Sequence, residues 1–289
     1  MAGPVFRFAP SPNGRLHLGH ALSAGLNAKL AAETGGRFLL RMEDIDAERS
    51  TPELQRHALD DLRWLGLSWE EPVRCQSRHM AEYRAHLDRL VGEGLVYPAF
   101  MSRGAVRAHA ETRSDWPRDP DGAPLYPGTD RRLSAPERQS KIASGVPYAW
   151  RLDMSEALRR AGPLHWREWT DATLTRSSLV EADPSRWGDV MIARAGLPTS
   201  YHLSVVSDDA LQGITHVVRG VDLAASTSVH RLLQHILGLP TPTYLHHRLV
   251  PGADGRKLSK SETATGLAAL RDAGWTPGDV WEACGIEPP

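Results

Sequence analysis

The chain has 289 residues, 41% hydrophobic and 24% charged, with 34 lysines and arginines against 35 aspartates and glutamates. That length suits one large domain carrying an insertion, and a formal net charge of −1 excludes a protein that holds nucleic acid by bulk charge, leaving only a local basic face. Cys75 and Cys284 offer neither a disulfide framework nor a C-x-x-C metal site, and with no membrane-length apolar run and no signal peptide the expected location is cytoplasmic.

Val5 to Phe8 reads as a short buried strand ending against the breakers Pro10, Pro12 and Gly14. Leu18, Leu22, Leu26 and Leu30 then recur at helical spacing, so a helix is expected from near His17 towards Gly35 and Gly36. Strand, Gly/Pro loop and helix suit a phosphate, because the first N–H groups of a helix lack partners inside it and the macrodipole adds partial positive charge. His17 and His20 lie one turn apart, and each can donate a ring N–H to a phosphate oxygen. Gly19 between them lets a planar nucleotide lie against the backbone. The plain alternative is a chance pair of histidines. A metal pair is disfavoured, since no nearby Cys, Asp or Glu completes a ligand set.

Phe38 to Met42 reads as a second strand, parallel to the first across the helix. Glu43-Asp44-Ile45-Asp46 at its C-terminal end emerges on the rim where open α/β sheets bind ligands, and Glu43 is placed to hold an ammonium group. Asp44 and Asp46 can equally be a helix cap or a solvated turn. Ser50 or Thr51 caps a helix with Pro52 in its first turn, an apolar stripe of Leu54, Ala58, Leu62 and Leu65, and Gly66 as its stop. A further helix is expected from about Arg78 to Glu93, and both helices read as scaffold.

From Tyr97 to Gly145, Pro, Asp, Arg and Gly crowd the chain and apolar periodicity mostly disappears. Pro147 to Leu152 and Asp189 to Ala193 read as strands. Tyr201 opens an apolar helix or strand reaching Val206, and its plain alternative is a packed core tyrosine. Ile214 to Arg219 is a β-branched run expected to be a central parallel strand with Arg219 pointing into the rim. Ala224 to Leu237 follows as a helix, then Tyr244 to Val250, in which His246 and His247 read as packing or rim residues. Lys257-Leu258-Ser259-Lys260-Ser261 sits on a loop after Gly252 and Gly255, where two lysines can place positive charge against a triphosphate. Alone, such a run is usually a solvated loop. A helix through Ala273 and a short tail close the chain.

In combination and in this order, H-L-G-H at His17 to His20 and K-L-S-K-S at Lys257 to Ser261 resemble the HIGH and KMSKS signatures of class I aminoacyl-tRNA synthetases. R-F-A-P-S-P-N-G from Arg7 and R-M-E-D-I-D at Arg41 to Asp46 resemble the glutamyl branch, and the short length resembles its truncated members, the glutamyl-Q tRNA(Asp) synthetases, which lack an anticodon-binding region. The resemblance implies an α/β fold: a Rossmann-type parallel sheet with an inserted connecting subdomain and no anticodon-binding domain. The corresponding division is 1–96 and 151–250 for the two catalytic halves, 97–150 for the insertion, and 251–289 for the lysine loop and C-terminal helices.

The same resemblance implies a glutamate pocket of Arg7, Ala9, Ser11, Glu43, Tyr201 and Arg219, with an arginine fork on the carboxylate side chain. It implies an ATP site of His17, Gly19, His20, Lys257, Ser259 and Lys260, with His17, His20, Lys257 and Lys260 catalytic and Mg2+ arriving with ATP. Two arginines in one pocket are costly without an anionic ligand, which argues for function. Many family members hold a zinc ion in the insertion by three cysteines and a tyrosine. Here the matching stretches contain Ala99, Met101, Tyr126 and Asp130, so no zinc is expected.

No covalent nucleophile stands beside a base, and the implied chemistry needs none: the glutamate α-carboxylate attacks the α-phosphate of ATP, and the activated glutamate passes to the queuosine base of tRNA(Asp). The chain is expected to act as a monomer. Two alternatives stay open. One is a glutamyl-tRNA synthetase charging the 3′ end of tRNA(Glu), which should continue well past the lysine loop. The other is a nucleotidyltransferase-type ligase with a small-molecule acceptor, which would not need Arg7, Glu43, Tyr201 and Arg219 together.

Overall fold

The computed structural model describes residues 3–194, 196–250 and 266–289. Strand β1 (Val5–Phe8) is buried on both faces, and the chain crosses through α1 (Leu18–Glu33) to β2 (Arg37–Met42). The two strands run parallel, with Val5 opposite Arg37 and Phe8 opposite Leu40. Successive residues point to opposite faces, so Phe6, Phe8, Phe38 and Leu40 pack under α1 while Val5 and Leu39 join a separate cluster with Trp166 and Tyr244 on the other side. Each such fully buried side chain contributes about 1.5–3 kcal/mol over leaving it exposed.

Helix α2 (Pro52–Trp64) is capped by Thr51, whose hydroxyl accepts from Leu54 N at 3.2 Å, and buries Ala58 and Leu62. Strand β3 (Glu70–Cys75) and α3 (Met80–Gly92) follow. A small antiparallel sheet then pairs β4 (Val96–Ala99) with β5 (Ala149–Leu152), and β5 with β8 (Met191–Arg194). Between β4 and β5 lie α4 (Arg103–Glu111) and α5 (Ala135–Ala143). Helix α6 (Met154–Ala161) leads to β6 (His165–Trp169) and β7 (Ser177–Glu181). After β8 come α7 (Tyr201–Leu211), β9 (His216–Gly220), α8 (Thr227–Ile236), β10 (Thr243–His247), α9 (Leu267–Asp272) and α10 (Pro277–Cys284).

The large sheet has the order β3-β2-β1-β9-β10-β6-β7, parallel throughout except for the antiparallel edge strand β7. From β1 the order runs one way to β2 and β3 and the other way to β9 and β10. The crevice beyond the C-terminal ends of β1 and β9 is thus the switch point where open α/β sheets take ligands. No helix among the described residues is long and apolar enough to cross a membrane.

The sequence expectation leaves several elements out. The run from Tyr244 is a strand, β10, paired residue for residue with β9, and the closing tail contains α10, whose Trp281 and Cys284 are buried against α1. Strands β3, β6 and β7 carry no apolar alternation, since most of their residues are exposed or half-buried. Tyr201 to Val206 is the start of a helix, not of a strand.

Candidate active site

A cavity of about 400 Å³ opens at the switch point. From the first crossover it is lined by Arg7 on β1, by Ala9 and Ser11 in the following loop, and by His17, Gly19 and His20 at the start of α1. Glu43 beyond β2, Tyr201 on α7 and Arg219 on β9 complete the wall. The structure therefore gathers every expected site residue that falls within the described residues. Lys257, Ser259 and Lys260 lie outside them. Of the residues on either side, Val250 lines the cavity, and Gly266 forms an isolated bridge with His17.

His17 is the N-cap of α1 rather than its first turn. Its Nδ1 accepts from Gly19 N at 3.1 Å, and His17 N donates to His20 Nδ1 at 3.1 Å. Two of the N–H groups expected to face an anion are thus taken by the histidines themselves. The imidazoles gain a fixed tautomer in exchange: each accepts through Nδ1, so the proton that can be offered sits on Nε2. Gly19 also has a local reason, because a Cβ there would sit 3.1 Å from His17 Cε1.

Arg7 and Glu43 are aimed by residues that the sequence reading overlooked. Asp209, at the end of α7, accepts from Arg7 Nε at 3.1 Å and from Arg41 Nη1 at 2.8 Å, and Arg41 Nη2 reaches Glu43 Oε1 at 3.3 Å. Burial opposes the ionisation of Asp209, but Arg7 and Arg41 outweigh it and hold its carboxyl below the usual range. Glu43 goes the other way, pushed up by burial although Arg41 and Arg7 pull it down. The signal that could have exposed this support is Asp208-Asp209, the only acidic residues in the helix Tyr201–Leu211 and placed just after its Leu203-to-Val206 run, since buried acids demand partners. Asp208 has them in Arg74, Gln76 and Tyr83.

Arg219 is held differently. Its Nε donates to His246 Nε2 at 3.3 Å, and its Nη1 donates to Tyr201 Oη and His230 Nδ1, both at 3.3 Å. Its Nη2 donates to Leu223 O at 3.2 Å and to Thr227 Oγ1 at 2.7 Å. Those acceptors match all five guanidinium donors. The sequence argument that two arginines in one pocket require an anionic ligand therefore fails. Arg7 has Asp209, and Arg219 has a full set of neutral acceptors.

A second cavity of about 550 Å³ adjoins the first through Tyr201, which lines both, and runs towards the small sheet past Asp46, Arg107, Arg151 and Trp187. Near its far wall lie the positions matching the family's zinc ligands. Asp130 Oδ2 accepts from Phe100 N at 2.8 Å and from the Tyr126 hydroxyl, while the guanidinium of Arg151 lies 4.2 Å over the Tyr126 ring. Ala99 has no donor atom, and the oxygen of Asp130 and the hydroxyl of Tyr126 are bonded to each other. These residues do not fit a zinc ion. No group of three or more His, Cys, Asp or Glu side chains placed to hold a metal occurs among the described residues.

The fold and this switch-point cavity define a class I synthetase catalytic domain, and residues 5–284 match the family of tRNA synthetases class I (E and Q), catalytic domain. The chain is 42% identical over 288 residues to a glutamyl-Q tRNA(Asp) synthetase of Rhodobacter capsulatus, covering 98% of this chain and 100% of that one. It is 41% identical to one of Symbiobacterium thermophilum over 95% of this chain and 83% of the relative. Among solved structures, a glutamate tRNA ligase of Elizabethkingia meningosepticum in complex with its amino acid superposes with a TM-score of 0.74 at 25% identity, over 95% of this chain. This chain spans 58% of that ligase. The chain belongs to the class I tRNA synthetases of the glutamyl and glutaminyl type, in the group of the glutamyl-Q tRNA(Asp) synthetases.

Proposed function

We propose that this chain activates L-glutamate with ATP and transfers it to the queuosine base of tRNA(Asp), working in the cytoplasm as a monomer. The observation that carries the reading is the convergence of Arg7, Glu43, Tyr201 and Arg219 with the His17 and His20 helix start in one cavity. In this reading the planar guanidinium of Arg7, held in place by Asp209, receives the side-chain carboxylate of glutamate, and Glu43 receives its ammonium group. Arg219, the second arginine of the pocket, meets the same side-chain carboxylate beside Tyr201, with Ala9 and Ser11 also lining the pocket.

The α-carboxylate, held against the triphosphate, attacks the α-phosphorus; the bond to the bridging oxygen breaks and pyrophosphate leaves. His17 and His20 offer Nε2–H groups to phosphate oxygens, and Gly19 lies under the nucleotide. Lys257 and Lys260, with Ser259 between them, are assigned to the departing charge by their match to the family signature. Mg2+ enters as part of the ATP complex. Orientation and charge stabilisation are sufficient for this reaction, and a single well-placed donor is worth about 3 kcal/mol in the barrier.

A glutamyl-tRNA synthetase activity towards tRNA(Glu) is the second reading, favoured by the superposition on a glutamate tRNA ligase. Radiolabelled glutamate, ATP and purified tRNAs with and without queuosine separate the two. Label on queuosine-containing tRNA(Asp) alone supports the first. Label on the 3′ end of tRNA(Glu) overturns it.

A further inference from the structure

Arg219 is surrounded by imidazoles that the proposed chemistry does not use. His230, on α8 and 1% exposed, presents Nδ1 to Arg219 Nη1, while its Nε2 lies 3.2 Å from Nδ1 of His202 on α7. On the opposite side, His246 on β10 presents Nε2 to Arg219 Nε, and its Nδ1 lies 2.9 Å from Glu168 Oε1 on β6. A guanidinium only donates, so each imidazole nitrogen facing it must carry a lone pair. The proton of His230 then sits on Nε2, where it reaches His202, and the proton of His246 sits on Nδ1, where it reaches Glu168. Along this chain of five side chains, His202, His230, Arg219, His246 and Glu168, each contact then pairs a donor with an acceptor, and only one arrangement of protons allows it. Burial keeps His230 and His202 neutral, as that arrangement requires.

We propose that His230, backed by His202, is a positioning residue that sets the rotation of the Arg219 fork and thereby the preference of the pocket for an acidic amino acid. The inference rests on the glutamate-activation reading. Thr227, Leu223 and His246 fix the Nε and Nη2 edge of Arg219, and His230 fixes Nη1, the edge that also meets Tyr201. Removing the His230 acceptor leaves a buried N–H without a partner and frees that edge to turn. A fork that can turn gives up the angular match to a carboxylate while still tolerating a neutral amide.

The test is ATP–pyrophosphate exchange by the full chain with glutamate or glutamine as substrate. His230→Phe, which keeps the ring and removes both nitrogens, is expected to raise the KM for glutamate tenfold or more. It should narrow the glutamate over glutamine preference by a similar factor and move the KM for ATP by less than twofold. His230→Gln, whose amide can still accept and donate along the same line, is expected to recover most of the glutamate affinity. If His230→Phe does not fold, His202→Leu at the cavity edge should move the same constants in the same direction by about threefold. A glutamate KM unmoved in these variants overturns the inference, and so does a joint rise for glutamate and ATP, which would mean general loosening. Wild-type protein without glutamate-dependent exchange overturns instead the functional reading on which it rests.

Discussion

Asp209 stands 3.1 Å from the Nε of Arg7, and both side chains are buried. The same carboxylate also serves Arg41 at 2.8 Å, so one acid bridges two guanidinium groups, of which Arg7 faces the cavity and Arg41 is shared with Glu43 and Asp208. Breaking such a group by removing one partner leaves uncompensated charge in the interior and typically costs about 3–5 kcal/mol. Asp209→Ala should therefore lower the unfolding free energy by that amount in urea titrations. Asp209→Asn, which keeps a carbonyl acceptor but not the charge, should fold and show a raised glutamate KM. An Asp209→Ala protein as stable as the wild type would refute this account of how Arg7 is held.

Lys260→Ala should slow adenylate formation about a hundredfold while leaving glutamate affinity nearly unchanged, because the lysine is assigned to charge that builds up only as pyrophosphate departs. ATP–pyrophosphate exchange measures the first and direct glutamate binding the second. Exchange at the wild-type rate would remove Lys260 from the mechanism.

What could be read from the sequence divides along a physical line. His17, His20 and Glu43 were legible because short-range order carries them: a strand, a breaker-rich loop, a helix and a second strand follow within the first fifty residues, and local pattern predicts their rim, whereas Arg7 was named through the resemblance. Tyr201 and Arg219 were placed by resemblance and by the β-branched run before Arg219. The residues that aim them were not legible. Asp209, Arg41, His230 and His246 act through contacts between segments far apart in sequence, and no local period encodes such a contact. Strand β10 escaped notice for a related reason: its register is set by β9, and its own short run is indistinguishable from a loop lead-in.

Asp130 occupies the place of a family metal ligand but works as a hydrogen-bond acceptor, joining Phe100 N to the Tyr126 hydroxyl across the base of the insertion. Leaving those two donors unsatisfied costs about 1–3 kcal/mol each. Asp130→Ala should thus lower the melting temperature by several degrees, whereas prolonged dialysis against a chelator should leave it unchanged. A chelator-sensitive melting temperature, or zinc retained through dialysis, would show that metal holds this region after all.

Acid should weaken the fold through its buried histidines. Burial and the nearby Arg219 push His202 down to about 4, and burial lowers His230 and His246 as well. In the unfolded chain these groups titrate near 6.5. Above that pH they are neutral in both states and cost nothing. As the pH falls from about 6.5 towards 4, the unfolded chain takes up protons that the folded chain refuses, so stability is lost progressively across that window. Urea titrations at pH 8, 6.5 and 5 should show little change between the first two and a clear fall at the third. His202→Gln should flatten that fall, and a wild-type profile flat to pH 5 would contradict the assigned neutrality.

Gly25 sits in the middle of α1, where alanine is ordinarily better by about 0.5–1 kcal/mol. Here two effects oppose each other. A Cβ at this position would lie 2.7 Å from Trp281 Cζ3 and 2.8 Å from Ile286 Cδ1, and overpacking a tight contact costs about 1–3 kcal/mol. Trp281 is buried and α10 is tied down on both sides, with Arg248 Nη2 donating to Cys284 O at 2.6 Å and Cys284 Sγ donating to Leu18 O at 3.4 Å. The ring cannot retreat without moving the helix, so overlap should win, and Gly25→Ala should loosen α10 despite its gain in helix propensity. Cys284 reports on this directly, being fully buried with its thiol pushed up to about 11 by burial. In a Cys75→Ser background, Gly25→Ala should speed the reaction of Cys284 with a thiol reagent at least tenfold. A variant that is more stable than wild type, with Cys284 still shielded, would mean that α10 packs against α1 with more slack than these contacts allow.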